Sequence, residues 1–327
     1  MKNLYPVICA IISIISSCST PQNDTTIINL SGGKTVTVDS IATPCIFAPT
    51  GMFIIGDELI LSNFRPDTVF DVFEIPSLKY TRSGGIVGAG PEDISGGSIS
   101  LSTKKFDNNH LSMLNNSGHG VNIIDADGLI SIYHKQLYIP EEWYYVQNHH
   151  FLSDGRQLLQ QGRLPMEWGI VNKDFEIEVS FTPKLPDEVI ALADDDMKKM
   201  FVHTAHSAVS EKEHLIAIIA SCRPIIDFYD FSGKLKRHVI GSYTHRDNLD
   251  KTTIYTQNTD NLIYINYHDP ADTDFTHSTI VAIDWEGNQV ETYQVGIMVT
   301  TFAVDEKNKK IYFTTNGDND NLYWFDL

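Results

Sequence analysis

The chain has 327 residues, of which 42% are hydrophobic, so it is long enough to bury a sizeable core. It has 24 basic and 42 acidic residues, which give a formal net charge of −18 at pH 7. Such an acidic surface repels phosphate backbones and anionic lipid headgroups, which argues against nucleic acid as a partner and against membrane binding through surface charge.

The N-terminus is typical of an export signal. Lys2 gives it a positive start, and an apolar run extends from Leu4 to Ser16. This run is too short to remain as a membrane-spanning helix. Small residues then directly precede Cys18, an arrangement that resembles the signal of bacterial lipoproteins, in which the leader is removed before a cysteine that becomes acylated.

We therefore expect residues 1–17 to be a lipoprotein signal peptide and Cys18 to be the site of lipidation. The protein would be exported and anchored through its N-terminal lipid at the outer membrane, facing either the periplasm or the cell surface. The alternative is an ordinary signal peptide with an incidental cysteine. The polar residues that follow predict a lipidated flexible tether over residues 18–33 and a single folded domain over residues 34–327.

Two short patterns recur along this domain at intervals of roughly 50 residues. The first is a pair of apolar residues followed by an acidic or amide residue, at 72–74, 123–125, 170–172, 228–230, 282–284 and 324–326. The second is a tight polar turn, at 56–57, 108–109, 154–155, 212–213, 260–261 and 307–308. Each turn lies between two strand-like runs. Six units of about four strands each predict an all-β fold, a six-bladed β-propeller.

The sequence also predicts how the ring closes. The sixth unit stops after its third strand, whereas Lys34 to Ile41, upstream of the first unit, alternates polar and apolar residues as a strand does. We expect this N-terminal strand to complete the last blade. The alternative is an arbitrary first strand of paired β-sandwiches. Between units three and four, residues 187–203 predict a short helix, with acidic residues early and lysines late.

One segment suggests a family. Residues 88–94 read Gly-Ala-Gly-Pro-Glu-Asp-Ile. Together with the leader and the six units, this box resembles the TolB-like six-bladed propeller lipoproteins of Bacteroidetes, through Gly88, Gly90, Pro91 and Glu92, with Ile94 where an aromatic residue is usual. The resemblance implies fold and location more than chemistry. A Gly-Pro pair is also what a sharp crossover between blades would use.

Motifs of nucleophilic, phosphate-binding or zinc-protease chemistry are absent from the sequence, so we expect no catalytic residues and no cofactor. Histidines offer an alternative. His149, His203, His206 and His268 lie on or near predicted inner strands and could meet in the channel to hold one divalent cation such as Ca or Zn. That would make the protein a metal-dependent hydrolase or lyase. The other interpretation is that these histidines only make ordinary hydrogen bonds. Acidic loops also offer oxygen ligands of the kind that calcium prefers, and the other interpretation of these loops is that they are solvated turns.

The sequence therefore favours a monomeric binding or scaffold module with a protein or glycan ligand. The aromatic run Trp143-Tyr144-Tyr145 could stack on a sugar, or pack between blades. Cys45 and Cys222 could form a disulfide in an oxidising compartment or remain two buried thiols.

Overall fold

The computed structural model of the chain describes residues 25–44, 49–63, 68–95, 103–115, 119–242, 252–269, 272, 274, 276–315 and 318–327. These residues form six sheets, arranged as the blades of a six-bladed β-propeller. The predicted fold class is confirmed. Cys18 and Cys45 lie outside the described residues, so lipidation and the pairing of Cys45 with Cys222 stay predictions.

The strands are numbered in chain order. Three short N-terminal strands precede the blades: β1 (Thr25–Ile28), β2 (Lys34–Thr35) and β3 (Asp39–Ala42). Blade I contains β4 (Pro49–Ile55), β5 (Glu58–Asn63), β6 (Thr68–Glu74), β7 (Lys79–Gly88) and β8 (Ile94–Ser95). Blade II contains β9 (Thr103–Lys105), β10 (His110–Leu114), β11 (Gly120–Asp125) and β12 (Ile130–Gln136). Blade III contains β13 (Val146–Phe151), β14 (Gln157–Gln161), β15 (Trp168–Val171) and β16 (Ile177–Phe181).

Two helices, α1 (Asp187–Ala191) and α2 (Asp196–His203), separate blade III from blade IV. Blade IV contains β17 (Ala205–Ser210), β18 (Leu215–Ala220), β19 (Ile225–Asp230) and β20 (Leu235–Gly241). Blade V contains β21 (Thr253–Asn258), β22 (Leu262–Tyr267), β23 (Ser278–Asp284) and β24 (Gln289–Val295). Blade VI contains β25 (Phe302–Asp305), β26 (Lys310–Thr315) and β27 (Asp318–Asp326). The predicted helix is therefore present, broken into two short helices.

Both recurring patterns have a structural cause. Each predicted polar turn joins the first strand of a blade to the second, and each apolar-apolar-polar pattern falls at the end of the third strand. In the hairpin after β23, the Asp284 carboxylate accepts hydrogen bonds from the backbone N–H groups of Glu286 (3.0 Å) and Asn288 (2.8 Å). Asp230 and Asn172 accept in the same way after β19 and β15. The repeated polar residue holds a turn, which is why it recurs.

The N-terminal segment, residues 25–42, crosses the outer edges of three blades. β1 pairs in parallel with β20 of blade IV, and β2 pairs in parallel with β24 of blade V. β3 pairs antiparallel with β27 and so supplies the fourth, outer strand of blade VI. The predicted closure of the last blade is present, but through residues 39–42, because residues 34–35 belong to blade V. The tether predicted over residues 18–33 therefore overlaps the propeller from Thr25 onward.

The core lies between the blades. Second strands such as β5, β18 and β22 are buried along almost their whole length, because a neighbouring blade covers each of their faces. Outer strands such as β7 and β16 alternate between exposed and partly buried residues. Among the described residues, no helix is long and apolar enough to cross a membrane.

Candidate functional site

The inner strands surround a central channel with a cavity of about 1070 Å³. Residues of all six blades line it, from β4, β9, β13, β17, β21 and β25 and the turns that follow them. This is a volume that holds a small ligand or a short segment of a polymer. The channel is therefore the natural place to look for function in this fold.

Three polar side chains from three consecutive blades meet in the channel. Lys104 on β9 places its Nζ 3.0 Å from Nε2 of His150 on β13, and 3.5 Å from Oγ of Ser207 on β17. The same His150 nitrogen lies 2.8 Å from the Ser207 hydroxyl. We call these three residues the channel cluster.

Charge in the channel cluster is not balanced locally. No Asp or Glu among the described residues forms an ion pair with Lys104, and burial lowers the pKa of its ammonium to about 7. Burial, the nearby Lys104 charge and His149 together hold the pKa of His150 well below its usual value, so this imidazole is neutral at pH 7. A neutral Nε2 that accepts a hydrogen bond places the ring proton on Nδ1.

The two mouths of the channel differ in charge. Inner strands of a propeller run in the same direction, so one mouth is lined where they begin and the other where they end. At the first mouth, which we call the neutral mouth, the lining includes Asn115, Tyr145, Gln147, Asn148 and Thr204. At the second, which we call the acidic mouth, it includes Asp107, Glu211, Asp260, Asp305 and Glu306. Lys307 also lies at the acidic mouth, paired with Asp57 at 2.6 Å.

Another set of contacts crosses the channel. On β21, the Gln257 amide Nε2 donates to the Met52 carbonyl oxygen of blade I (2.9 Å) and to the Tyr255 hydroxyl (3.2 Å). The backbone N–H of Met52 in turn donates to that hydroxyl at 3.4 Å. Blade V is thus hydrogen-bonded to blade I past the inner edge of blade VI. These bonds fix the inner strands on this side of the ring.

The four histidines named from the sequence occupy different environments. His206 lines the channel, while His149 is fully buried and hydrogen-bonded through Nε2 to the Ser112 hydroxyl of blade II (2.9 Å). Burial, and secondarily the charge of Lys104, lowers the pKa of His149 to about 3. His203 ends α2, and His268 is buried just after β22.

Within the described part of the chain, no three His, Cys, Asp or Glu residues form a group that could hold a metal ion. The divalent-cation hypothesis stays a prediction. Sequence reasoning did not select Lys104 or Ser207, and it chose His149 where its neighbour His150 faces the channel. Successive strand residues point to opposite faces, and only the register decides which of the two faces inward.

The Gly-Pro segment at residues 88–94 forms the crossover from blade I to blade II. The Asp93 carboxylate accepts a hydrogen bond from the Gly90 N–H (2.7 Å), and the Glu92 carbonyl accepts one from Ser131 N–H on β12 (2.9 Å). A β-carbon on Gly88 would lie 2.2 Å from the Asp93 carboxylate. A side chain at position 88 would therefore displace the Asp93 carboxylate from Gly90, and the hydrogen bond from Ser131 joins the two blades.

Two of the residues singled out from the sequence, Trp143 of the aromatic run and Cys222, are buried and serve packing. Trp143 is buried, whereas Tyr144 is 66% exposed and stacks under the guanidinium of Arg163 at 4.1 Å. Tyr145 lines the channel. Cys222 is buried, and this burial raises the pKa of its thiol to about 11, so it is poorly reactive.

Neither a protein-family model nor a curated protein sequence matches the chain. Solved structures do resemble it. A member of the DUF4221 family from Bacteroides vulgatus has a TM-score of 0.60 at 11% identity, over 90% of this chain and 98% of that one. A candidate exported protein from Bacteroides fragilis has a TM-score of 0.56 at 10% identity, over 92% and 98%. Virginiamycin B lyase from Staphylococcus aureus has a TM-score of 0.53 at 11% identity, over 89% and 99%. At such identities the likeness shows the fold alone.

Proposed function

We propose that this protein is an exported, lipid-anchored propeller of the bacterial cell envelope that binds a ligand in its central channel. The leader and Cys18 support export and anchoring, and two propellers of similar fold come from Bacteroides, one of them described as exported. The TolB-like resemblance of the box at residues 88–94 agrees with this location. The ligand is a glycan, a small molecule or a segment of a partner protein.

The channel cluster is the observation that carries the binding role. Partly removing an ammonium group from water without a counter-ion costs stability, and such costs concentrate at functional sites. If position 104 served only for packing, an uncharged side chain would fill it without this cost, so the charge of Lys104 points to a role in binding. The ring around it is rigid, because each blade is packed between two others. A ligand in the channel therefore meets preorganised polar groups from several blades.

The channel can be blocked without touching the channel cluster. Gln147 lines the neutral mouth, so Gln147→Trp should fill part of the cavity, while Ile86→Trp adds the same bulk at a residue of β7 that is 61% exposed. A ligand found by glycan array or by crosslinking in the envelope should be lost with Gln147→Trp and kept with Ile86→Trp. Equal binding by both variants would place the ligand elsewhere and contradict the proposal.

The alternative is a metal-dependent hydrolase or lyase. It is favoured by His206 and His150, two imidazoles that line the same channel. Metal analysis of the purified protein tests it. One equivalent of tightly held calcium or zinc that is lost in His206→Ala would support the enzyme. Ligand binding that is saturable and unaffected by a chelator would support the binding module.

A further inference from the structure

The ammonium group of Lys104 has free capacity to donate. It has three N–H donors, of which one is directed to His150 Nε2 at 3.0 Å and a second is at the limit of hydrogen bonding to Ser207 Oγ at 3.5 Å. Both of these partners are neutral. A third donor and the positive charge itself are left to the cavity that the three residues line.

The position of this charge along the channel is also informative. The carboxylates that line the channel are at the acidic mouth, and those of Glu211 and Asp305 are among the ones held in local contacts. Glu211 accepts a hydrogen bond from the Ser153 N–H (3.0 Å), and Asp305 accepts one from the Asn308 N–H (2.9 Å). Neither side chain reaches Lys104. An anion is therefore repelled at the acidic mouth. If it enters through the neutral mouth, it passes uncharged polar residues and then reaches the Lys104 cation.

We propose that the channel cluster binds the carboxylate group of a ligand that enters through the neutral mouth. This rests on the proposed function, since it names the chemistry recognised at the same site. One carboxylate oxygen would accept from the third N–H of Lys104 Nζ. The other would accept the single proton of the Ser207 hydroxyl, which would turn away from His150 and leave the His150 Nε2 to accept from Lys104 alone. These two donors are 3.5 Å apart, so one planar carboxylate can meet both.

A monoanion fits the site better than a dianion. Lys104 supplies a single positive charge, and one carboxylate neutralises it. A phosphate dianion would leave an uncompensated negative charge in a buried site whose far mouth is already acidic. Two kinds of ligand carry a single carboxylate of this kind: an acidic sugar and the C-terminus of a peptide.

Two matched pairs of probes test the proposal by isothermal titration calorimetry on the full chain in detergent. D-galacturonic acid is compared with D-galactose, and N-acetyl-alanyl-alanine with its C-terminal amide. In each pair the two compounds differ only in the carboxylate, which an uncharged group replaces in the neutral partner. We expect the acid of at least one pair to bind at millimolar concentration or better, and its neutral partner to bind at least 10-fold more weakly. Which acid binds more tightly identifies the source.

The pH dependence gives a readout that needs no variant. Only the ammonium form attracts the carboxylate, and its pKa of about 7 in the free protein means that little of it remains at high pH. Affinity should therefore fall by about 10- to 100-fold between about pH 6 and pH 9. Over the same range the carboxylic acid probes stay fully ionised.

Variants assign the effect to the cluster. Lys104→Met should abolish binding, Lys104→Arg should keep binding but remove its pH dependence, and Ser207→Ala should weaken it several-fold. Lys307→Met is the matched control, because it removes a lysine of the same channel that is already paired with Asp57, and it should bind as the wild type does.

Three results would overturn the carboxylate proposal: neither acid binds, acid and neutral probes bind equally, or binding survives in Lys104→Met. They are distinct from failure of the channel-binding role. A neutral ligand that is blocked by Gln147→Trp but indifferent to Lys104→Met would retain the channel and reject the carboxylate. A carboxylate ligand unaffected by Gln147→Trp and by Lys104→Met would reject both.

Discussion

Replacing Lys104 by methionine should make the free protein more stable at neutral pH. Methionine has a similar length and flexibility but no charge to desolvate. The pKa of Lys104 falls from 10.5 in the unfolded chain to about 7 in the native protein, so between these two pH values the unfolded chain holds a proton that the native protein lacks. Stability that is absent at and below pH 7 is regained as the pH rises toward 10.5.

The size of the effect follows from the same shift. Each pKa unit corresponds to about 1.4 kcal/mol, so the partly buried ammonium costs at most about 4–5 kcal/mol at pH 7. The hydrogen bonds that Lys104 makes to His150 and Ser207 reduce the net gain of the variant by about 1–2 kcal/mol. We expect Lys104→Met to be about 2–4 kcal/mol more stable than the wild type at pH 7. Near pH 10.5, where only the lost hydrogen bonds remain, we expect it to be about 1–2 kcal/mol less stable.

Urea unfolding followed by tryptophan fluorescence measures this difference. Trp143, Trp168 and Trp285 are buried in the native protein and become exposed to water when it unfolds. Lys307→Met serves as the control: its ion pair with Asp57 raises the pKa of Lys307, so its loss should not stabilise the protein at pH 7. A Lys104→Met protein that is less stable than the wild type by the same amount at both pH values would refute the reasoning, since the lysine would then act only through packing.

Three further predictions concern the anchor and the N-terminal segment. Cys18→Ala should abolish labelling by a fatty-acid analogue, measured by gel fluorescence, and unchanged labelling would show that another residue carries the lipid. Gly33→Ala should lower stability by about 1–3 kcal/mol in urea unfolding, because Gly33 has a φ of +115° and a β-carbon there would lie 2.3 Å from the Thr292 carbonyl oxygen; a neutral effect would mean that residues 32–35 do not pack on blade V. Removing residues up to Ala42 should lower the melting temperature of the whole ring in one cooperative transition, since blade VI loses its outer strand, whereas an unaltered transition would contradict closure by β3.

The fold could be predicted because its signals are local. A carboxylate such as that of Asp284 holds the hairpin after the third strand, and tight turns such as Gly56-Asp57 join the first strand to the second. Both devices depend on residues a few positions apart, so they appear in the sequence as repeats. Their number gave the number of blades, and the unfinished sixth unit indicated that an outside strand was needed.

The N-terminal segment could be predicted only in part. The alternation through Ile41 was visible, and residues 39–42 do complete blade VI. The parallel pairing of Lys34–Thr35 with β24 involves two residues and leaves no periodic trace. Thr25–Ile28 pairs with β20, more than 200 residues later in the chain. This strand is short and follows polar residues, which favoured its interpretation as part of the tether.

The channel cluster could not be predicted because its chemistry depends on closure of the ring. Lys104 lies in a strand of three residues beside another lysine, a pattern typical of a solvated surface. Its partial burial arises from contacts with blades III and IV, 46 and 103 residues further along the chain. The His149-His150 pair was visible, but the register that directs one ring between blades and the other into the channel was not.

The most direct test of the account is a measurement of the Lys104 amine itself. Reductive ¹³C-methylation of the lysines followed by a pH titration in ¹H–¹³C correlation spectra reports each amine separately. The account predicts one resonance with a pKa of about 7, absent in Lys104→Met, whose pKa rises when the carboxylate probe that binds is added. Titration of every lysine near pH 10, with no response to the acids, would contradict a partly desolvated and uncompensated cation in the channel.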